Sequence, residues 1–352
     1  MGLAIAIAVN GTPDAELANA STVEIHERMG ETTTYRIRYD VDISEGDLPL
    51  LVDGRLDPGS ELRILVPTEE TVHCLVKGPV HAQQIHLEHG GAGSWLEVQG
   101  SDSSIAMDRI TQSAVWADLT DSDVVTTILA GYGYNTDVQS TNGGHFEAKH
   151  TLVQRDSDLR FVRRLARRNG FLFWITSNAE GIETAHFKRP QLEGEADSEL
   201  VINLDSPKLQ SIDLNCDVER PTSVEGMQLD LNSTENLDGA VAATPQTILG
   251  SQSLQTITGD TRSVHLTAPA DDAGDLQARG EGALIEADWF IRATCQTSLG
   301  LLGVPVRAHT MVELHGAGSR HSGKYFVAAV RHTIDAETHR MDLELVRNGW
   351  GV

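Results

Sequence analysis

At 352 residues the chain is long enough for two or three domains with a substantial core. Its composition, 40% apolar and 22% charged, argues against wholesale disorder. A formal net charge of −24 argues against nucleic-acid recognition, because a polyanion is repelled by such a surface. Basic residues are mostly Arg; an acidic, Lys-poor surface fits either a salt-rich habitat or a GC-rich genome. Cys74, Cys216 and Cys295 are far apart and odd in number, so neither a disulfide framework nor a zinc knuckle is expected. They are expected as single thiols half-buried in strands.

The N-terminus carries no basic leader. Its apolar run, Leu3 to Val9, is too short for a signal segment and far too short to span a bilayer. Ala6 stands where a myristoylation signal after Gly2 wants Ser or Thr. Synthesis and folding in the cytoplasm without a signal peptide, and no membrane insertion, are the expectation.

The first hundred residues read as strands. Tyr35, Ile37, Tyr39, Val41 and Ile43 alternate with Arg36, Arg38, Asp40 and Asp42, the period of a half-buried strand. Val23 and Ile25 flank Glu24 in the strand before it. Short strands follow at Leu62–Val66, Val72–Val76, Ile85–Leu87 and Leu96–Val98. Asp57-Pro58-Gly59, Gly78-Pro79 and Gly90-Gly91 are read as punctuation between them. This spacing predicts a closed or nearly closed barrel.

The period then changes. Thr120-Asp121-Ser122-Asp123 reads as a capped helix start, followed by the stripe Val124, Val125, Ile128, Leu129 and the stop Gly131. A second helix, 157–169, starts at Asp156 or Ser157, buries Leu159, Val162, Leu165 and Ala166, and ends at Gly170. Phe171, Phe173 and Ile175 alternate with Leu172 and Trp174 in a strand buried on both sides or nearly so. Strands return at Ile212–Val218 and Met227–Leu231. Residues 233–270 are rich in Thr, Ser, Gln, Asn and Ala and read as a loop excursion. Residues 274–293 predict a helix with Leu276, Ala283, Leu284 and Ala287 on one face, turning into a strand near Phe290 and Ile291. Met311–Leu314, Tyr325–Val330 and Met341–Val346 close the chain as strands. The fold class is therefore mainly β with an α+β insert. The organisation is 1–108, a first β unit; 109–200, a mixed α/β insert with the basic helix; and 201–352, a second β unit.

The order of several local motifs resembles the phage late control gene D protein family, the hub part of VgrG-type spike proteins. The strongest piece is Arg155-Asp156-Ser157-Asp158-Leu159-Arg160-Phe161-Val162-Arg163-Arg164-Leu165-Ala166, continuing to Asn169-Gly170-Phe171. Upstream lies Asp121-Ser122-Asp123-Val124-Val125 to Gly131-Tyr132-Gly133. Near the end stand Gly303-Val304-Pro305, Val312-Glu313-Leu314-His315-Gly316, Gly323-Lys324-Tyr325-Phe326-Val327 and Val330-Arg331-His332. The resemblance covers about residues 110 to 350 and is carried by order and spacing. It implies two tail-tube-like β-barrel domains per subunit in a homotrimeric ring, so that a threefold hub meets a sixfold tail tube. The partners implied are the tail tube protein, a spike protein, other baseplate proteins, and cargo or tape-measure protein in the lumen. Because no spike domain follows the last strand, the spike is expected as a separate chain. The particle is a phage tail, a bacteriocin-like particle or an injection system; the residues do not choose between them.

The basic helix is the main candidate site. Residues 151–170 carry six Arg against two Asp, a local charge of +4. Arg160, Arg163, Arg164, Arg167 and Arg168 are candidates for docking an acidic neighbour; the alternative is a solvated face paired within the chain. His81, His86 and His89 do not share a strand face as a zinc site would require. His315, His321 and His332 are expected at the surface. Asp213 and Asp217 lie on an outward strand face, and no nucleophile, phosphate-loop or dinucleotide motif occurs. No catalytic, metal-binding or cofactor-binding residue is therefore expected. A tail-associated cell-wall hydrolase and a free-standing β-rich binding protein remain the alternative readings.

Overall fold

Alternation fixes the central strand pair. Val23, Ile25 and Glu27 of Thr22–Arg28 turn to the same side as Tyr35, Ile37 and Tyr39 of Thr34–Asp40, and all six are buried. Glu24, His26, Arg28, Arg36 and Arg38 turn to the other side. The register places Val23 opposite Ile37 and Ile25 opposite Tyr35, so apolar neighbours stack across the ladder. The computed structural model describes residues 5–41, 48–147, 151–229, 236–266 and 273–352. Asp42 and Ile43, assigned to this strand from the sequence, lie outside those residues, as do Leu3 and Leu231.

From this pair the sheet grows in both directions. In order it runs Ile212–Cys216, Ile291–Ser298, His339–Arg347, Gly323–Ile334, Thr22–Arg28, Thr34–Asp40, Trp95–Ser101 and Val72–His86, and every step is antiparallel. It continues through Glu61–Pro67 to Ala6–Val9 and Thr12–Asp14. The early and late parts of the chain are joined inside one ladder, where Thr22–Arg28 pairs with Gly323–Ile334 from Arg28–Ala329 to Val23–Ile334.

The two β units bury separate cores under this sheet. One holds Val23, Ile25, Tyr35, Ile37, Leu62, Ile64, Leu96 and Val98. The other holds Leu200, Phe290, Ile291, Val312, Leu314, Tyr325, Val327 and Leu343. Each such side chain, fully buried, contributes roughly 1.5–3 kcal/mol before conformational entropy is charged against it.

The expected break at Gly78-Pro79 is corrected. Val72–His86 is one continuous strand of 15 residues. Its first half pairs with Glu61–Pro67 and its second half with Trp95–Ser101, so Gly78-Pro79 marks the change of neighbour. A Cβ on Gly78 would sit 2.0 Å from the Ser101 carbonyl oxygen, which is why glycine stands where the strand crosses over.

Between the units, Leu172–Ser177, Glu183–Lys188 and Asn135–Val138 form a small sheet against two helices. Helix Asp121–Ala130 starts with a reciprocal Thr120–Asp123 capping box. Helix Asp158–Arg168 is capped by the Ser157 hydroxyl, which accepts from the Arg160 N–H. Phe161, Val162, Leu165, Phe173 and Phe187 form their shared core. Phe173 and Ile175 are buried, while Leu172 and Trp174 are only half-buried.

The excursion is not structureless. Ser223–Leu229, Asn236–Asp238 and Ser263–Leu266 form a second small sheet, with a short helix Leu254–Thr258 between. Residues 233–235 and 267–270 of the expected loop lie outside the described residues. Helix Ala273–Ala287 packs Leu276 and Leu284 inward and stops before Phe290. The cysteines are free: Cys74 and Cys295 are buried and Cys216 half-buried.

Candidate interaction surfaces

The outward side of the eight-strand run is a polar face crossing both β units. One row across it reads Gln296, Asp342, Arg331, His26 and Thr34. The next reads Arg340, Thr333, Glu24, Arg36 and Gln99. Opposite charges meet across strands: Arg28 binds Glu344 at 2.7 Å, and Arg331 binds Glu24 at 2.9 Å. These pairs are partly exposed and each contributes no more than about 1 kcal/mol. Among the described residues Arg36 and Arg292 form no ion pair. A shallow depression of about 680 Å³ lies on this face, floored by residues of both units, among them Arg36, Asp213, Thr294 and Glu344.

Both ends of the run are open. Among the described residues Ile212–Cys216 pairs on one side only, with Ile291–Ser298, and its side chains are half-buried or exposed. At the far end, beyond the bonds that Val80 makes with Gly59 and Ser60, the strand through His86 pairs only with Trp95–Ser101 among the described residues. Such edges present unpaired N–H and C=O groups to any strand that can reach them.

Beneath the face, where the units meet, lies a buried polar cluster. Arg307 donates from Nε to Glu27 (2.6 Å) and from its terminal nitrogens to the carbonyls of Cys74 and Leu75 (2.6 and 2.8 Å). The Ala308 N–H also donates to Glu27. Burial alone would raise the Glu27 carboxyl, but Arg307 and His332 more than offset it and hold it at about 2. His332, expected at the surface, is fully buried and bonds His339 at 3.0 Å. It lies on the inner side of its strand, opposite Ile25, which the local Gly-rich sequence could not reveal. His309 stacks on Trp174 at 4.2 Å, and Trp174 stacks on His186 at 4.6 Å, which ties the insert to this junction. Burial pushes His309 down to about 3, so it is neutral at pH 7.

The five candidate arginines do not act as one face. Arg168 is mostly buried and bonds Asp121 and His145, locking the two insert helices together. Arg163 is half-buried and donates to Thr32 at 2.7 Å. Arg160, Arg164 and Arg167 are exposed, paired respectively with Asp108 (3.2 Å), Asp156 (2.7 Å) and Glu286 (2.9 Å). Among the described residues no group of three or more His, Cys, Asp or Glu could hold a metal ion. His86 stacks on Trp95, and His81 and His89 are exposed. Asp213 and Asp217 are exposed, as expected for an outward face. Nothing in the local sequence around Arg307 or His339 marks either as part of this cluster. Glu27 carried a readable signal, since it is a charged residue at the apolar parity of Val23 and Ile25.

A family model described as the Alg8 N-terminal domain matches residues 2–336. No curated protein sequence matches the chain. Among solved structures, the 43 kDa tail protein of prophage MuSo2 from Shewanella oneidensis is similar with a TM-score of 0.66 at 12% identity, covering 98% of both chains. A tail protein from Neisseria meningitidis is similar with a TM-score of 0.65 at 12% identity, over 99% of this chain and 97% of that one. An E. coli component of the type VI secretion system, described as structurally similar to T4 bacteriophage tail proteins, has a TM-score of 0.59 at 13% identity, over 97% of this chain and 76% of its own. At these identities the likeness establishes a shared, mainly β fold. No helix among the described residues is long and apolar enough to cross a membrane.

Proposed function

The chain belongs to the Alg8 N-terminal domain family; from its fold and surfaces, which that family name does not explain, we propose that it is a structural baseplate hub of a contractile phage tail or a related injection particle. In this reading residues 1–108 and 201–352 are two tube-like barrel units and 109–200 is an insert on their outer side. Three copies form a ring that joins a sixfold tail tube to a threefold spike. Its action is mechanical and steric, and no catalytic step is assigned to it.

The observation that carries this reading is the eight-strand antiparallel run with a polar outer face and two open edges. Because the number of strands is even, its first and last strands run in opposite directions. The edge Ile212–Cys216 of one copy can therefore continue the ladder from Ala82–His86 of the next without breaking the alternation. A head-to-tail contact of this kind closes into a ring when the rotation permits. Three copies would bury all such edges and surround a channel lined by the Glu24, Arg36, Arg331 and Glu344 face. Mixed charge on that lining suits passage of a protein cargo or tape-measure protein, since neither sign dominates to trap it.

The exposed Arg160, Arg164 and Arg167 lie on the insert and supply the outer docking surface for acidic baseplate neighbours. Light scattering tests the assembly: a mass near three times 38.1 kDa supports the hub. A chain that stays monomeric at every concentration, and also when mixed with tube and spike proteins, rules it out.

A further inference from the structure

Backbone direction decides which residues of the two open edges can bond across a gap. At one edge the Asp217 N–H donates to the Phe290 carbonyl (2.8 Å), in line with the register that sets Asp213 opposite Thr294 and Asn215 opposite Arg292. Asp213 and Asn215 therefore bond toward Ile291–Ser298, and the N–H and C=O groups of Ile212, Leu214 and Cys216 point to the free edge. At the other edge the Val41 N–H donates to the Ser94 carbonyl (3.0 Å) and the Asp102 N–H to the Thr33 carbonyl (2.8 Å), so Leu96, Val98 and Gly100 bond toward Thr34–Asp40. Trp95, Glu97 and Gln99 bond instead toward His86, Gln84 and Ala82. Gln83 and Ile85, with Leu87 next in the alternation, are left facing the free edge.

The same residues carry the apolar side chains. Ile212, Leu214 and Cys216 are half-buried against the core of the second unit. Ile85 stands beside the buried Leu96 yet is 43% exposed, and Leu87 is 56% exposed. Each edge thus ends in an incompletely covered apolar row on the side away from the polar face, and the residues of each row are those with free backbone groups.

One register satisfies both. Antiparallel joining with Leu214 opposite Ile85 sets Ile212 opposite Leu87 and Cys216 opposite Gln83. On the polar face it sets Asp213 opposite His86 and Asn215 opposite Gln84. A shift by one alternation in one direction sets Asp213 against Glu88, and like charges directly opposite each other destabilise a ladder. The shift in the other direction sets Leu214 against Gln83, whose amide is bound to the Leu56 carbonyl at 2.6 Å, and leaves Leu87 opposite Gln210.

We propose that a second copy of the chain docks in this register, so that Gln83, Ile85 and Leu87 of one copy close over Cys216, Leu214 and Ile212 of the next and complete an apolar seam shared by the two. The seam, and not the charged face, then holds the copies together. The contact between copies rests on the hub reading, while the two edges themselves set the register.

Light scattering of charge variants tests this. Leu214→Glu and Ile85→Lys each place a charge in the seam, and each should reduce the trimer mass to that of the monomer while thermal melts confirm a folded chain. The double variant sets opposite charges against each other at every joint and should recover the trimer. Single variants that remain trimeric, or a folded double variant that stays monomeric, overturn the proposal. In a Cys216→Ser background, oxidative joining of Asn215→Cys to Ala82→Cys rather than to Gln84→Cys would reveal a shifted register, which removes the seam and leaves the hub. A wild-type chain that never forms a trimer, alone or with tube and spike proteins, removes the hub and the seam with it.

Discussion

Glu27 and Arg307 face each other at 2.6 Å beneath the joint between the two β units, and the same guanidinium also holds the carbonyls of Cys74 and Leu75. One half-buried side chain thus fastens the loop before Met311–His315 to two strands of the first unit. The carboxyl is almost fully buried, so its partner is what makes its charge tolerable. Glu27→Gln should cost about 3 kcal/mol at pH 7, because it leaves the half-buried Arg307 without a counter-charge. The pH dependence has a definite sign. Glu27 sits at about 2 when folded, below its ordinary 4.5. Its stabilisation is therefore present above pH 4.5 and is lost as pH falls toward 2. Urea unfolding from pH 7 to pH 3 should show a gap between wild type and Glu27→Gln that narrows below pH 4.5.

The ion pairs on the polar face should behave differently. Arg331→Ala removes the exposed pair with Glu24 and should change stability by no more than about 1 kcal/mol. Thermal melts of this variant beside Glu27→Gln would separate a surface whose charge is displayed from a junction whose charge is structural.

Gly100 makes a third case. A Cβ there would sit 2.1 Å from the Tyr35 ring, whose hydroxyl donates to the Gly78 carbonyl. Gly100→Ala should cost about 2 kcal/mol by displacing a packed ring, although alanine is otherwise a mild change. Chemical denaturation reads this as a shifted midpoint with an unchanged slope.

Ring closure predicts a specific cross-link. With Cys216→Ser to remove the half-buried native thiol, Asn215→Cys in one edge strand and Gln84→Cys in the other should join different copies under mild oxidation. Each single variant should give no more than dimers on a non-reducing gel, whereas the double variant should run up to a covalent trimer and stop there. A ladder that continues past three, or no joining at all, speaks against closure at these edges.

Much of this was legible locally. The parity of Tyr35, Ile37 and Tyr39, the cap at Ser157 and the stripe Leu159, Val162, Leu165 needed only a few residues of context, and each element formed where its pattern stood. Gly78-Pro79 was misread because glycine there answers a close approach to Ser101, which belongs to a different strand. The ladder between Thr22–Arg28 and Gly323–Ile334 was not readable, since the two strands are some three hundred positions apart and no period in either names its partner. The arginines of the basic helix show the same limit. Composition marked the helix as basic, but only the packing separates Arg168, locked to Asp121, from Arg160, Arg164 and Arg167, which face outward.

In a hub of this kind the polar face must look into the channel of the assembled ring. Electron cryo-microscopy of the purified chain, alone and with its tube and spike proteins, addresses that directly. The predicted result is a threefold ring whose channel is lined by Glu24, Arg36, Arg331 and Glu344, with Arg160, Arg164 and Arg167 at the periphery. An assembly that turns this face outward, or seals it against another protein with no channel, would contradict the account.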